Sequence, residues 1–176
     1  MKPISNVFFS VFVITAMSVA DSASGHAQTG FLGGLFGGPK VVTISTEQLR
    51  DRLVNPKTNE LKPAEQRDFV LVDVRTPEEF NVSVIPGAIT KAEYEKNPAK
   101  YRDKTVIPYC TVGGRSGAYA KSLAADGVKV VNYDGSILAW VQSGLPLVTL
   151  DGKPTRRVHT YSNRYTIPSN YQQVTR

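Results

Sequence analysis

Strand signals and helix signals alternate over residues 41–150, and this alternation constrains the fold more than any other feature of the chain. The clearest strand is the continuous apolar run Phe69-Val70-Leu71-Val72, which is typical of a strand buried on both faces. Further strand-like runs occupy residues 41–44, 105–109 and 128–133. The alternation predicts a doubly wound α/β domain with a mostly parallel sheet of about five strands and helices on both faces.

Helix-starting signals lie between these runs. Thr76-Pro77-Glu78-Glu79 combines a capping threonine, a proline at the first helical position and a glutamate three residues after the cap. We expect further helices at 93–102, where Pro98 interrupts the pattern, at 116–126, ended by Gly127, and at 137–142, where Trp140 is expected in the core.

Cys110 is the single cysteine of the chain, and it follows the predicted strand 105–109 directly. Ligand sites of such sheets lie at the carboxyl ends of strands. The following residues, Thr111-Val112-Gly113-Gly114-Arg115-Ser116, predict a tight loop that opens a helix, so several backbone N–H groups point into one space. A thiol in such surroundings loses its proton more easily than a free cysteine, whose pKa is roughly 8.5. We therefore expect a reactive Cys110 rather than a buried structural cysteine, the alternative for a lone thiol.

Arg115 lies at the start of the helix that follows the cysteine loop. A cation is poorly placed there, because the helix dipole is already positive at that end. We expect Arg115 to face an anion, either the thiolate or a negatively charged substrate, although a solvated arginine is the alternative.

The chain resembles the rhodanese family of sulfurtransferases over roughly residues 41–148. Four pieces occur in the order typical of the family: 71–75 with 77–80, Ile85-Pro86-Gly87-Ala88, the loop 110–116, and 134–140 with Gly144-Leu145-Pro146. The sequence departs from the family at Ser83-Val84, where a glycine-histidine pair is usual. This difference affects the match of the turn but leaves the nucleophile in place.

The resemblance implies a persulfide mechanism. The Cys110 thiolate attacks the outer sulfur of thiosulfate or a similar donor, sulfite departs, and a thiol or cyanide later removes the sulfur. The implied substrate-binding residues are Thr111, Val112, Gly113, Gly114, Arg115 and Ser116. Asp73 and Arg75 end a neighbouring strand, and they are candidates to support the loop or, alternatively, to form a simple ion pair.

Two other functions are compatible with these residues. A cysteine phosphatase or an arsenate reductase needs a wider loop, with arginine six positions after the cysteine, whereas Arg115 is five positions after Cys110. A non-catalytic sulfur carrier or partner-binding module in the periplasm is the second alternative. It would take up sulfur but turn over slowly.

No cofactor is expected. With one cysteine and with histidines at positions 26 and 159 alone, a zinc or haem site is disfavoured. Because His26 lies in the predicted leader and His159 in the tail, we expect no histidine in the folded domain to act as a general base. Backbone dipoles and Arg115 are then the groups expected to activate Cys110.

The termini are predicted to lie outside the folded domain. Residues 1–27 are typical of a secretory signal peptide, which predicts export to the periplasm, with an uncleaved membrane anchor as the alternative. Residues 28–40 predict a glycine-rich linker, 41–150 the rhodanese-like domain, and 151–176 a basic, tyrosine-containing tail.

The charge distribution bears on the partners. The net charge is +6, and residues 151–176 hold five basic side chains against one acidic side chain. The surplus therefore belongs to the tail, so nucleic acid is not expected as a partner. We expect a solvated, partly disordered tail, with a protein or lipid contact as the alternative. The small-molecule partners are an anionic sulfur donor and a thiol or cyanide acceptor, and membrane contact is expected only if the signal remains uncleaved.

Overall fold

The computed structural model describes residues 39–175. The predicted signal peptide and nearly all of the predicted linker therefore lie outside the described residues. Within residues 39–175 no helix has the length and apolar character needed to cross a bilayer.

Five parallel strands form the centre of the fold. They are β1 (Val42–Thr43), β2 (Phe69–Asp73), β3 (Ala88–Thr90), β4 (Thr105–Tyr109) and β5 (Val131–Asn132). Ladder pairing gives the orders β1-β5 and β3-β2-β4, and two backbone hydrogen bonds join these parts, from Val106 N–H to Lys129 C=O and from Tyr133 N–H to Pro108 C=O. The strand order is thus β1-β5-β4-β2-β3. Strand β3 was not predicted from the sequence, because its short run follows the Pro86-Gly87 turn directly.

Five α-helices connect the strands. They are α1 (Thr46–Leu53), α2 (Pro77–Phe80), α3 (Lys91–Lys96), α4 (Gly114–Ala125) and α5 (Ser136–Gln142). The expected helix at 93–102 is divided into α3 and a 3₁₀ turn at Pro98–Tyr101, because proline lacks the N–H that a continuing helix needs. Helix α4 begins two residues earlier than expected.

The side chains of β2 alternate between two apolar clusters, as expected for a strand covered on both faces. Phe69 and Leu71 pack with α1 and α5, whereas Val70 and Val72 pack with α3 and α4. Trp140 of α5 is 2% exposed, which confirms its predicted place in the core. Helices on both faces of a parallel sheet confirm the doubly wound α/β fold.

The C-terminal segment is folded onto the domain, and the expectation of a partly disordered tail is therefore wrong. It contributes β7 (Pro154–Thr155), β8 (Arg157–His159) and β9 (Gln172–Val174), and β7 pairs with β6 (Leu147–Val148) at the end of the predicted domain. Val158 is fully buried, and Tyr165, Ile167 and Tyr171 pack against the larger apolar cluster. Arg156, Arg157 and Arg164 are exposed, whereas Val158 is buried and the residues Tyr165, Ile167 and Tyr171 are partly buried, which a count of charges does not reveal.

Candidate functional site

Cys110 directly follows β4 at the carboxyl edge of the sheet, and it lies in the loop predicted from the sequence. The backbone N–H of Gly113 donates to Cys110 Sγ at 3.1 Å, and the cysteine residue is 1% exposed. Gly113 has φ +93°, and a Cβ atom there would lie 2.4 Å from the carbonyl oxygen of Asp134. Glycine is therefore required at this position both by the backbone conformation and by the close approach of residue 134.

Ser136, at the start of α5, was not identified from the sequence and lies against the cysteine. Its Oγ accepts a hydrogen bond from Cys110 N–H at 3.0 Å and lies 3.8 Å from Cys110 Sγ. The same hydroxyl lies 3.0 Å from the carbonyl oxygen of Tyr133, so its single proton is directed either to that carbonyl or to the sulfur. Ile137 N–H donates to Cys110 C=O at 3.1 Å, so the start of α5 holds the end of β4 in place.

The surroundings of Cys110 lower the pKa of its thiol below the ordinary value. Burial by itself would raise the pKa, since it disfavours the thiolate. Hydrogen bonds from Ser116 N–H and Val112 N–H, together with the hydroxyls of Ser136 and Ser116, outweigh that effect. The arrangement therefore favours a thiolate, as the sequence predicts, and two hydroxyl groups contribute alongside the backbone.

Arg115, at the start of α4, forms an ion pair with a carboxylate of the protein. Its guanidinium binds Glu79 of α2 in a bidentate manner, with Nη1 2.6 Å from Oε2 and Nη2 2.8 Å from Oε1. Thr111 completes the group, because its hydroxyl donates to Glu79 Oε1 at 2.7 Å and accepts from Arg115 Nη2 at 2.9 Å. The anion that contacts Arg115 is thus Glu79, and not the thiolate or the substrate named as its partner from the sequence.

Glu79 was interpreted from the sequence as a capping residue only, yet it joins α2 to the cysteine loop. Its side chain is 1% exposed and that of Arg115 is 40% exposed. Burial alone would raise the pKa of Glu79, but hydrogen bonds from Arg115, Thr111 and Thr76 N–H hold it at about 2. The carboxylate is therefore ionised at neutral pH and balances the charge of Arg115. A buried position for a glutamate within the capping motif was not visible in the local sequence.

Asp73 and Arg75 form a fully buried ion pair directly behind the cysteine. Arg75 Nη2 lies 2.6 Å from Asp73 Oδ2 and also donates to the carbonyl oxygen of Ser83 at 2.6 Å. The hydroxyl of Tyr109 donates to Asp73 Oδ2 at 2.6 Å and accepts from Ile85 N–H at 3.1 Å. The ion pair that was the alternative from the sequence is therefore present, and through the Tyr109 hydroxyl it contacts the residue that precedes Cys110. Burial, followed by the negative charge of Asp73, raises the pKa of Tyr109 well above its ordinary value, so this hydroxyl stays a donor.

A pocket of about 500 Å³ opens above the cysteine. It is lined by the loop residues Cys110, Thr111, Val112, Gly114 and Arg115, by Thr76, and by Tyr161 and Tyr165 of the C-terminal segment. Two of the predicted substrate-binding residues, Gly113 and Ser116, do not line this pocket. They donate hydrogen bonds to Cys110 Sγ instead. The involvement of Tyr161 and Tyr165 was missed, because the tail was expected to be solvated.

His159 is buried in β8, so the expectation that the folded domain contains no histidine is wrong. Its imidazole Nδ1 accepts a hydrogen bond from Tyr161 N–H at 3.1 Å. Its position therefore connects it to the wall of the pocket. Within residues 39–175 no group of three or more His, Cys, Asp or Glu side chains is arranged to hold a metal ion.

Comparisons with known proteins agree with this geometry. A family model described as a rhodanese-like domain matches residues 57–143. A protein of Allochromatium vinosum named sulfurtransferase is 33% identical over 114 residues, which cover 62% of this chain and 96% of that protein. An uncharacterized protein of Synechocystis is 37% identical over 106 residues, which cover 57% of this chain and 58% of that protein. The crystal structure of a Bacillus halodurans protein superposes with a TM-score of 0.50 at 20% identity, covering 61% of this chain and 77% of the other.

Proposed function

Since the chain belongs to the rhodanese-like domain family, we propose that it is a sulfurtransferase that carries sulfur on Cys110. The observation that carries this proposal is the set of groups that surround the sulfur of Cys110. Cys110 Sγ lies 3.1 Å from Gly113 N and borders an open pocket, and its pKa is lowered by hydrogen-bond donors around it. A thiolate held in this way is a nucleophile that needs no neighbouring base.

The first step loads the cysteine. The Cys110 thiolate attacks the outer sulfur of thiosulfate or a similar donor, the S–S bond of the donor breaks, and sulfite leaves with the bonding electron pair. Cys110 then carries a terminal sulfur as a persulfide anion. The backbone N–H groups of the loop, with those of Val112, Gly113 and Ser116 already directed at Sγ, supply donors for the added negative charge.

The second step returns the cysteine to its starting state. A thiolate or cyanide attacks the terminal sulfur, the Cys110 S–S bond breaks, and the cysteine thiolate leaves. Its low basicity favours this departure, because a thiol of lowered pKa is a better leaving group. The two steps use one sulfur atom of the protein and one pocket.

Arg115 and Thr111 position the loop in this proposal. Because both are bound to Glu79, they hold the first turn of α4 against α2, so that the loop N–H groups keep their direction. The side chain of Arg115 is 40% exposed and lines the same pocket as Cys110.

The proposal is tested with residues 28–176 and thiosulfate. After exposure to thiosulfate, whole-protein mass spectrometry is expected to detect the mass of one added sulfur atom, and cyanide is expected to release it as thiocyanate. Cys110→Ala and Cys110→Ser are matched controls that remove the nucleophile with little change of volume, and neither is expected to gain the sulfur. No gain in the intact protein and no thiocyanate, either with thiosulfate or with a small organic persulfide as the donor, would overturn the proposal. A gain with negligible turnover would instead indicate the sulfur-carrier alternative.

We also propose that the domain works after export, with residues 1–27 removed and residues 28–40 acting as a flexible tether. The support is compositional, namely an apolar stretch followed by small residues and then a glycine-rich segment. N-terminal sequencing of the protein from a periplasmic fraction would test it, and an intact Met1 in that material would contradict it.

A further inference from the structure

The outer wall of the cysteine pocket is built by a segment beyond the family match. The match covers residues 57–143, whereas Tyr161 and Tyr165 belong to a loop that we call the aromatic loop, residues 160–165. Together with Val112, these rings give the pocket a largely apolar wall opposite the thiol. This wall is therefore a feature of this chain rather than of the matched domain.

The aromatic loop is held in place by several hydrogen bonds. The Gln173 side-chain amide donates to Thr160 Oγ1 at 2.7 Å, to Ser162 C=O at 3.2 Å and to Tyr165 C=O at 3.0 Å. His159 Nδ1 accepts from Tyr161 N–H, and Tyr161 adopts φ +64°. Because both ends of the loop are bound, the two rings form a preorganised wall.

The charge of the pocket gives little attraction to a small inorganic dianion. Among the residues that line it, Arg115 has the one charged side chain, and Glu79 balances that charge at distances of 2.6 and 2.8 Å. The thiolate adds a negative charge at the bottom. Thiosulfate would thus bring two negative charges to a site whose only cation is already paired.

A second cleft of about 590 Å³ lies along the same loop and shares Tyr161 and Tyr165 with the cysteine pocket. It is lined by residues 161–165, including Arg164. Arg164 is exposed and forms no ion pair within the described part of the chain. A cation without an ion-pair partner among the described residues therefore lies next to the two tyrosines and outside the lining of the cysteine pocket.

We propose that the aromatic loop selects a small organic persulfide, with an apolar body and a carboxylate, as the sulfur donor. The terminal sulfur reaches Cys110, the apolar body packs between Val112 and the two tyrosine rings, and the carboxylate faces Arg164. A pocket of about 500 Å³ is within the range of roughly 300–1,000 Å³ that is usual for small organic ligands. This inference rests on the proposed sulfur transfer and names the donor class of the same site.

The transfer is balanced without an oxidant. The Cys110 thiolate attacks the terminal sulfur of R–S–SH, the S–S bond of the donor breaks, and a new S–S bond forms on Cys110. The departing thiolate takes the proton of the donor and leaves as R–SH, so that Cys110 carries the persulfide anion. The released thiol occupies the apolar wall until it dissociates.

The test compares two donors in single-turnover loading of Cys110, followed by quenching and whole-protein mass spectrometry. The probes are the persulfide of 4-(mercaptomethyl)benzoate, which has an apolar ring and a carboxylate, and thiosulfate. We expect the intact protein to load faster from the persulfide. Tyr161→Ala and Tyr165→Ala are each expected to lower the persulfide-to-thiosulfate ratio of rate constants about five- to tenfold. The matched variants Tyr161→Phe and Tyr165→Phe keep the rings and are expected to change that ratio less than about twofold.

A substitution at Arg164 tests separately whether the carboxylate of the donor is recognised. Arg164→Ala is expected to slow loading from the persulfide of 4-(mercaptomethyl)benzoate about threefold, and to leave loading from the persulfide of the corresponding benzamide, which has no carboxylate, within about twofold. Tyr161 is 57% exposed, so its alanine variant decides the question even if Tyr165→Ala fails to fold.

The failures of the two proposals are distinguishable. Loading from thiosulfate at least as fast as from the persulfide, or alanine variants with an unchanged ratio, would overturn the donor class and leave the proposed transfer standing. No loading from either probe would overturn the proposed transfer, and the donor class with it.

Discussion

Glu79 accepts two hydrogen bonds from the guanidinium of Arg115, at 2.6 and 2.8 Å, across 36 residues of sequence. This contact joins the first turn of α2 to the first turn of α4. It therefore links the residue that caps one helix to the loop that surrounds Cys110, and it makes the pocket nearly neutral apart from the thiolate.

Glu79→Gln is expected to lower the free energy of unfolding at neutral pH by about 1–3 kcal/mol, because Arg115 and Thr111 lose a charged acceptor. The folded-state pKa of Glu79, about 2, is below the ordinary value of 4.5. Its stabilising contribution is therefore present above about pH 4.5 and is lost as the pH falls toward 2. Chemical denaturation between pH 7 and pH 2 measures this, and the intact protein and the variant should converge at the acid end. Glu60→Gln, on an exposed side chain, is the control, and a constant difference at all pH values would contradict the prediction.

Tyr109→Phe removes the hydroxyl that bridges Asp73 Oδ2 and Ile85 N–H. Both groups then lose a partner in the buried interior, so we expect a loss of about 1–3 kcal/mol of stability and slower sulfur loading of Cys110. Thermal unfolding and loading measured by mass spectrometry check the two effects. Tyr101→Phe is the control, because the Tyr101 hydroxyl makes no hydrogen bond within residues 39–175. Equal effects of the two changes would show that the bridge has no particular role.

Ser136→Ala is expected to raise the pKa of Cys110, since it removes one of the hydroxyls that lower that pKa. The rate of alkylation of the thiol as a function of pH should therefore shift toward higher pH, and alkylation at neutral pH should slow by about two- to tenfold. Ser122→Ala, on the exposed face of α4, serves as the comparison. A profile that superposes on that of the intact protein would remove Ser136 from the activation of the thiol.

Gly113→Ala is expected to reduce sulfur loading by more than about tenfold, because the new Cβ would lie 2.4 Å from the carbonyl oxygen of Asp134 and displace the loop. Gly127→Ala is the matched control, since Gly127 also has a positive φ, +77°, but has no atom within 4 Å of its would-be Cβ. It reproduces the backbone strain without the steric clash. Similar loading by the two variants would contradict the prediction, because the steric clash with Asp134 would then have no effect on the loop.

The order of strands and helices and the place of Cys110 were predictable because their signals are local. The apolar run that forms β2 and the glycines after Cys110 each act within a few residues, so they indicate structure before any tertiary contact is known. Strand β3 was missed, because three residues are too few to show the apolar pattern of a strand. The interruption expected at Pro98 is present, but residues 98–101 form a 3₁₀ turn rather than a continuation of the α-helix.

The partners of the site were not predictable in the same way. Ser136 is 26 residues from Cys110, and Glu79 is 36 residues from Arg115. Nothing in either local sequence distinguishes a serine beside the thiol from one in solvent. The C-terminal segment was expected to be disordered because of its charge. It is folded because the side chains of Val158 and Tyr165 pack against the completed core.

The sequence alone determined a layered α/β domain and a thiol of lowered pKa at the end of β4. It did so because apolar periodicity, helix capping and loop glycines each act over a few neighbouring positions. Tertiary structure alone decided which groups surround that thiol: Ser136 beneath it, Glu79 across Arg115, and the tyrosines of the aromatic loop above it. These contacts depend on how distant segments meet once the apolar faces of the sheet are covered. Their geometry follows from packing of the whole domain and leaves no local mark in the sequence.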